Sequence, residues 1–303
     1  MISTQTGGTF NVYTNDKAEL MAGFKLVRDC GFEAVDYNID YFVKGNPYEG
    51  SVDDFWKKDL EELYEYFTPT KEAAEENKIA FAQAHAAFPM YHEGKDEFNE
   101  YMLLAVEKNL AICKYLGCPA LIVHSIVMDD MERREELNLS MYRKMIPAAK
   151  KYGVKICLEN LMGVFRDRPI QGVCATTEEA CMYIDTLNAE AGEELFGFCF
   201  DTGHANVVGT NMHEFIKKMG KRLICLHLHE NDRVYDEHTI PFTHICPGLD
   251  WEGVMAGLRE VGYSGALSFE TFAGVGLMPK EVRPEVLTLI AALGKYMRKR
   301  ITE

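Results

Sequence analysis

The sequence predicts an α/β fold, a single (β/α)8 TIM barrel of eight parallel strands spanning residues 1–303. Short apolar runs alternate eight times with stretches of helical spacing, which calls for a parallel sheet. No linker-like or low-complexity break interrupts the chain. An open doubly wound sheet is the competing architecture. It would normally carry G-x-G-x-x-G after its first strand, where this chain has "TQTGGTFN".

The expected strands are, in order, "ISTQT" (2–6), "FEAVDYN" (32–38), "IAFAQAHA" (79–86) and "PALIVHS" (119–125). They continue with "KICLENL" (155–161), "FGFCFDTG" (196–203), "LICLHLHE" (223–230) and "GALSFETF" (265–272). Between them, segments such as "DKAELMAGFKLVRDCG", "FNEYMLLAVEKNLAICKYLG" and "DWEGVMAGLREVG" space their apolar residues for one helix face. Gly31, Gly117, Gly153 and Gly262 stand where helices should end, and Thr176, Asn211 and Asp250 where helices should begin.

Composition narrows the function classes. The chain is 47% apolar and 26% charged, as expected of a soluble globular protein. It has no apolar run long enough for a membrane span and no secretory pattern at "MISTQTGGTFNVYTNDK". Nine cysteines, none in a CxxC pair and several inside apolar runs, read as buried reduced thiols of a cytoplasmic protein. A net charge of -15 argues against broad nucleic-acid contact, which needs clustered Lys and Arg. Metal and small molecule are the expected partners.

Residues two apart in a strand point the same way. On this rule Cys157 and Glu159 share a face opposite Ile156 and Leu158, and Cys199 and Asp201 a face opposite Phe198 and Phe200. Cys225, His227 and His229 oppose Leu226 and Leu228; Ser268 and Glu270 oppose Leu267 and Phe269. His85 and His124 take the same place on the third and fourth strands. Each inward ionisable group lies near a strand's carboxyl end, where barrel active sites are built. Glu159, Asp201, His227 and Glu270 should therefore converge. Three crowded carboxylates repel unless a cation neutralises them. Mixed oxygen and nitrogen donors suit Mn, Zn, Co or Mg.

The segments "ICLEN", "FDTGHAN", "HLHENDRVYDEH", "PGLDWEGV" and "GYSGALSFET" resemble the xylose-isomerase-like barrel superfamily. It includes sugar isomerases, ketose 3-epimerases, inosose dehydratases and zinc-dependent abasic-site endonucleases. The resemblance implies Glu159, Asp201, His227 and Glu270 as shared metal ligands. It makes His204 a residue for substrate oxygens or a further metal. In the endonuclease branch Asp236 and His238 complete that further site, and His85 and His124 supply the remaining ligands. His229 stands where the sugar branch often has Lys, which suggests substrate contact. Asp232 and Glu237 read as surface loop.

Two reaction classes follow. In the first, a divalent metal polarises a sugar or sugar phosphate, and Glu159 and Glu270 act as base and acid in a proton transfer through a metal-bound enediolate. Arg166, Arg168 or Arg233 would meet a phosphate, with plain solvent exposure as the alternative. In the second, up to three zinc ions hydrolyse a DNA phosphodiester at an abasic site, a reading the acidic charge opposes. A dehydratase or lyase acting on an inositol or glycoside derivative would use the chemistry of the first. Substrate choice resides in the loops at 40–58, 88–97, 162–175 and 231–250. By analogy with similar barrels, association into a homo-oligomer would use the outer helices.

Overall fold

A computed structural model describes residues 1–245 and 248–303. Cys246, and Pro247 at the head of the "PGLDWEGV" motif, lie outside the described residues. All eight expected strands form. They are β1 (Ile2–Gln5), β2 (Ala34–Tyr37), β3 (Ala80–His85), β4 (Ala120–Ile122), β5 (Lys155–Glu159), β6 (Phe196–Asp201), β7 (Leu223–His227) and β8 (Leu267–Phe269). Neighbours pair in parallel from β7 back through β1 to β8. Just past β7, Leu228 bridges in parallel to Phe269. There the Leu228 N–H donates to the Ser268 carbonyl at 2.8 Å, and the Glu270 N–H to the Leu228 carbonyl at 3.1 Å. These bonds close the sheet into a barrel.

The helices are α1 (Lys17–Asp29), α2 (Leu60–Asn77), α3 (Asp96–Leu116), α4 (Met131–Tyr152), α5 (Thr177–Ala191), α6 (Thr202–Val207), α7 (Met212–Met219), α8 (Trp251–Glu260), α9 (Phe272–Gly276) and α10 (Arg283–Thr302). Local chemistry fixes their ends. Thr176, Asn211 and Asp250 cap α5, α7 and α8 by accepting the N–H of Glu179, Glu214 and Gly253. Gly117 and Gly153 end α3 and α4 in the left-handed region, where a side chain would be strained. Gly31 and Gly262 each follow one residue after their helix cap, Cys30 and Val261. Helix α10 crosses the β1–β8 seam so closely that a Cβ at Gly294 would stand 2.6 Å from Ile2 and 2.8 Å from Phe269.

Side chains alternate as the strand rule requires. Ile156, Leu158, Phe198, Phe200, Leu226 and Leu228 join the large core between sheet and helices. Ala120, Ile122, Cys157, Cys199 and Cys225 form a separate cluster of smaller groups, filling the barrel's centre. The strands are shorter than their sequence signals. His124, His229 and Glu270 lie one or two residues beyond β4, β7 and β8 rather than within them. Two loops also fold into small antiparallel hairpins that the sequence reading does not anticipate: Gly45–Asn46 with Ser51–Val52, and Met162–Phe165 with Arg168–Gln171.

Candidate metal centre

His227 stands at the middle of the site. Its Nδ1 lies 2.9 Å from Glu159 Oε1, 3.4 Å from Glu270 Oε2 and 3.8 Å from Asp201 Oδ2. Three carboxylates, from β5, β6 and the end of β8, thus bring oxygens within 3.8 Å of one imidazole nitrogen. Glu159, Asp201 and His227 are buried, and Glu270 is nearly so. Among the described residues no Lys or Arg pairs with any of the three carboxylates; histidines provide all of their ion-pair contacts. A concentration of negative charge met only by imidazoles fits a divalent cation held by Glu159, Asp201, His227 and Glu270.

Two further groupings adjoin this one. His124 Nε2 and His85 Nε2 lie 2.9 and 3.6 Å from the other Glu159 oxygen, Oε2. Asp236 Oδ2 lies 2.9 Å from His238 Nε2 and 3.3 Å from His204 Nε2. The donor atoms of His85, Glu159 and His227 lie within 4.8 Å of one another, as do those of Glu159, Asp201 and His204 and those of His229, Asp236 and His238.

The imidazoles are oriented in two ways. His85, His204 and His238 each place Nδ1 against a main-chain carbonyl, that of Ala86 at 2.8 Å, Asn160 at 2.9 Å and Glu270 at 3.2 Å. In the neutral ring, donation there leaves Nε2 as the lone-pair nitrogen facing the site. His227 is turned the other way, with Nε2 3.1 Å from Asp36 Oδ2 and Nδ1 facing the carboxylates. Asp36 is buried on β2 and also accepts from Gln83 Nε2 at 2.7 Å. Sequence reasoning passes over Asp36, although the inward-pointing rule applied to "AVDY" would have selected it.

Proton affinities reflect these contacts. Burial alone would raise the Glu159 carboxyl, but charged His227 and hydrogen bonds from His124, His227 and His85 hold it well below the usual carboxylate range. Burial would lower His227, yet the surrounding acidic groups push it well above the ordinary imidazole value. His85, opposed by burial and favoured by Glu159, rises to about 9. His238, opposed by burial and favoured by Asp236, also rises to about 9. Burial wins at His124, which falls to about 4.

Asp201 has two tasks. Its Oδ1 accepts the His204 N–H at 2.7 Å and so caps α6, which is why the "DTGH" turn delivers His204 to the same mouth. Its Oδ2 lies 3.0 Å from His229 Nε2. This corrects the expectation that His229 meets substrate. The ring is wholly buried and packs where Gly203 has no side chain, since a Cβ there would lie 1.8 Å from His229 Cε1. His229 positions Asp201.

Above the donors opens a cavity of about 340 Å³. Glu159, Glu270, His85, His124, His204, Asp236 and His238 reach it, joined by Gln5, Asn38, Asp40, Tyr41, Tyr48, Phe88 and Phe272. No Lys or Arg lines it among the described residues. The arginines expected to meet a phosphate are elsewhere. Arg166 and Arg168 are exposed on the 162–171 hairpin, where Arg166 lies over the Phe165 ring. Arg233 is exposed beyond β7, at a positive-φ position of the turn. Positive charge was the signal that selected them, and the path of the loops carries them away. Asp232 and Glu237 do serve the loop: Asp232 accepts the N–H of Val234 and Tyr235, and Glu237 that of Asp232. Glu230 is a buried loop anchor, accepting from Thr243 N, Leu249 N and Trp251 Nε1.

Residues 24–292 match the family described as xylose isomerase-like TIM barrel. A protein of unassigned function from Sinorhizobium fredii is 22% identical over 258 residues, 81% of this chain and 79% of that one. A D-psicose 3-epimerase from Enterocloster bolteae is 35% identical over 104 residues, covering 33% of this chain and 30% of its own length. Among solved structures, a 3-keto-D-glucoside 4-epimerase from E. coli superposes with a TM-score of 0.69 at 14% identity, covering 98% of both chains. A D-psicose 3-epimerase from Clostridium cellulolyticum gives 0.70 at 13% identity, covering 98% of this chain and 99% of that one. At such identities these structures are evidence of fold. No described helix is long and apolar enough to cross a membrane.

Proposed function

Because the chain belongs to the xylose isomerase-like TIM barrel family, we propose that it is a metal-dependent carbohydrate isomerase or epimerase. The observation that carries this reading is the site's composition. Four convergent metal donors lie beneath a small cavity that has carboxylates, imidazoles and aromatic rings on its walls and, among the described residues, no Lys or Arg. That composition favours an uncharged sugar over a sugar phosphate. A divalent ion held by Glu159, Asp201, His227 and Glu270 supplies Lewis-acid polarisation of a carbonyl. The protein's own groups do the rest. Glu159 and Glu270 both reach the cavity, and one removes a carbon-bound proton while the other returns a proton to the neighbouring centre or the opposite face. His204 and His238, held at Nδ1 by main-chain carbonyls, turn Nε2 toward the cavity, placed to hydrogen-bond sugar oxygens. Tyr41, Tyr48, Phe88 and Phe272 limit the entry of water.

The test is solvent deuterium incorporation into a panel of ketoses in heavy water, with metal content measured on protein purified without chelator. Incorporation by protein holding about one tightly bound divalent ion per chain is the expected result. Absence of any bound divalent ion would overturn the scheme.

The two neighbouring groupings favour a second reading, hydrolysis of a phosphodiester by up to three ions. His85 and His124 on Glu159, and His204 with Asp236 and His238, offer the extra ligands. The net charge of -15 and the lack of Lys or Arg among the described residues of the cavity oppose it, since a nucleic-acid site gains affinity by placing Lys and Arg on phosphates. About three metals per chain together with cleavage of an abasic duplex would decide for this reading.

A further inference from the structure

The metal-side cavity does not end at its aromatic wall. A second hollow of about 340 Å³ adjoins it and shares Tyr48, Phe88, His124 and His204 with it. The two halves differ in chemistry. The second is built by the segments that follow β3, β4 and β5, chiefly Met90, Tyr91, Ile126, Val127, Leu161 and Met162. Among the described residues no acidic or basic one lines it apart from the two shared histidines. Of its hydroxyls, that of Ser125 is already engaged with Tyr142 at 3.0 Å, and those of Tyr48 and Tyr91 end otherwise apolar rings. The hollow therefore offers mainly apolar contact.

The first half asks for the opposite. Gln5 Oε1, Asp40 Oδ1 and Asp236 Oδ1 are shielded from solvent in side chains that line the cavity, and none has a hydrogen-bond partner among the described residues. Gln5 is itself only 4% exposed. Shielded acceptors without donors are costly unless a ligand brings donors to them, and hydroxyl groups are the donors a sugar carries. A carboxylate or phosphate would bring only more acceptors.

We propose that the substrate is an uncharged glycoside that bears a ketone on its sugar ring and whose aglycone is apolar and ring-sized. The sugar lies over the metal donors with hydroxyls donating to Gln5 and Asp40, and the aglycone occupies the hollow between Phe88, Ile126 and Met162. This inference rests on the carbohydrate reading given above and adds the substituent to it. A free sugar fills the polar half and leaves the apolar half to water. Burying a ring there removes apolar surface from water and tightens binding.

The experiment is calorimetric titration of the metal-loaded protein with paired p-nitrophenyl and methyl glycosides of glucose, galactose, mannose and xylose. For at least one sugar the aryl glycoside is expected to bind about tenfold or more tighter than its methyl counterpart. Val127→Asp and Met162→Asp place a charge in the hollow and are expected to bring that ratio to about one. Val127 is 61% exposed, so its exchange leaves the core untouched. Equal binding of aryl and methyl forms for every sugar, no binding of any glycoside, or an aryl advantage that survives both substitutions would each overturn the inference. Deuterium incorporation into free ketoses by the same preparation shows in those cases that the carbohydrate reading itself stands; its absence shows that both have failed.

Discussion

Three strands run from one kind of chemistry to another within a single pleat. On β5, β6 and β7 the inward residues are Cys157 then Glu159, Cys199 then Asp201, and Cys225 then His227. Each pair is separated by two residues, about 6.6 Å along a parallel strand. Both layers are almost completely buried. In the lower layer burial pushes the Cys199 thiol far above its ordinary value, so it stays neutral and packs as a small apolar group. In the upper layer of metal-free protein Glu159 and His227 favour their charged forms, since each lies 2.9 Å from the other. At equal burial, the partner is what differs between the two layers. The lower layer serves packing and the upper layer serves chemistry.

Substitutions that exchange one layer's role for the other's put this contrast to the test. The largest effect belongs to the upper layer. Glu159→Gln, and separately Glu270→Gln, should cut solvent deuterium incorporation by roughly 10²–10⁴-fold with the circular dichroism spectrum unchanged. Retained exchange in both would mean the base lies elsewhere. Next comes the residue behind the imidazole. Asp36→Asn should weaken divalent-metal affinity by about 10–100-fold in a competition titration with a chromophoric chelator. Wild-type affinity in that variant would show that His227 orients without help.

Acidity gives a third comparison. In metal-free protein His85 and His238 hold protons up to about pH 9, against about 6.5 when unfolded. Their contribution to stability is complete below pH 6.5 and is lost as pH rises through 9, because over that window the folded state binds more protons than the unfolded one. The melting temperature of metal-free protein should therefore fall over this window. Metal-loaded protein should fall less over the same window, since a cation on Glu159 and Glu270 offsets the negative charge that favours protonation of these rings.

In the lower layer, Cys157→Ala should cost about 1–2 kcal/mol in urea unfolding, as a small cavity forms, while metal content stays at the wild-type level. Smallest of all, joint replacement of Arg166 and Arg233 by Ala should leave turnover within about twofold, as expected for exposed groups outside the cavity. A tenfold loss would bring a phosphate back into consideration.

Both layers were legible in the sequence for the same reason. Buried parallel strands force a two-residue alternation, and bulky Phe198, Phe200, Leu226 and Leu228 mark the helix side so that Asp201 and His227 must point inward. The rule stops where the strand stops. His229 continues the alternation on paper, but the chain has left β7 by then and the ring turns into the space beside Gly203. Loop residues lack any such period. Asp40, Tyr48 and Phe88 reach the cavity because of how the segments after β2 and β3 bend, and the short hairpin at 45–52 is part of that bending. Arg166 and Arg233 show the converse, charge without a path to the site.

The backbone carbonyls behind His85, His204 and His238 have a consequence for descent. A carbonyl belongs to every amino acid, so no point mutation at residues 86, 160 or 270 can delete the group that aims those rings. A lineage could therefore rewrite the surrounding walls for one ligand after another and keep three imidazoles on target throughout. His227 has no such insurance, because its aim depends on the side chain of Asp36, which a single nucleotide change can remove.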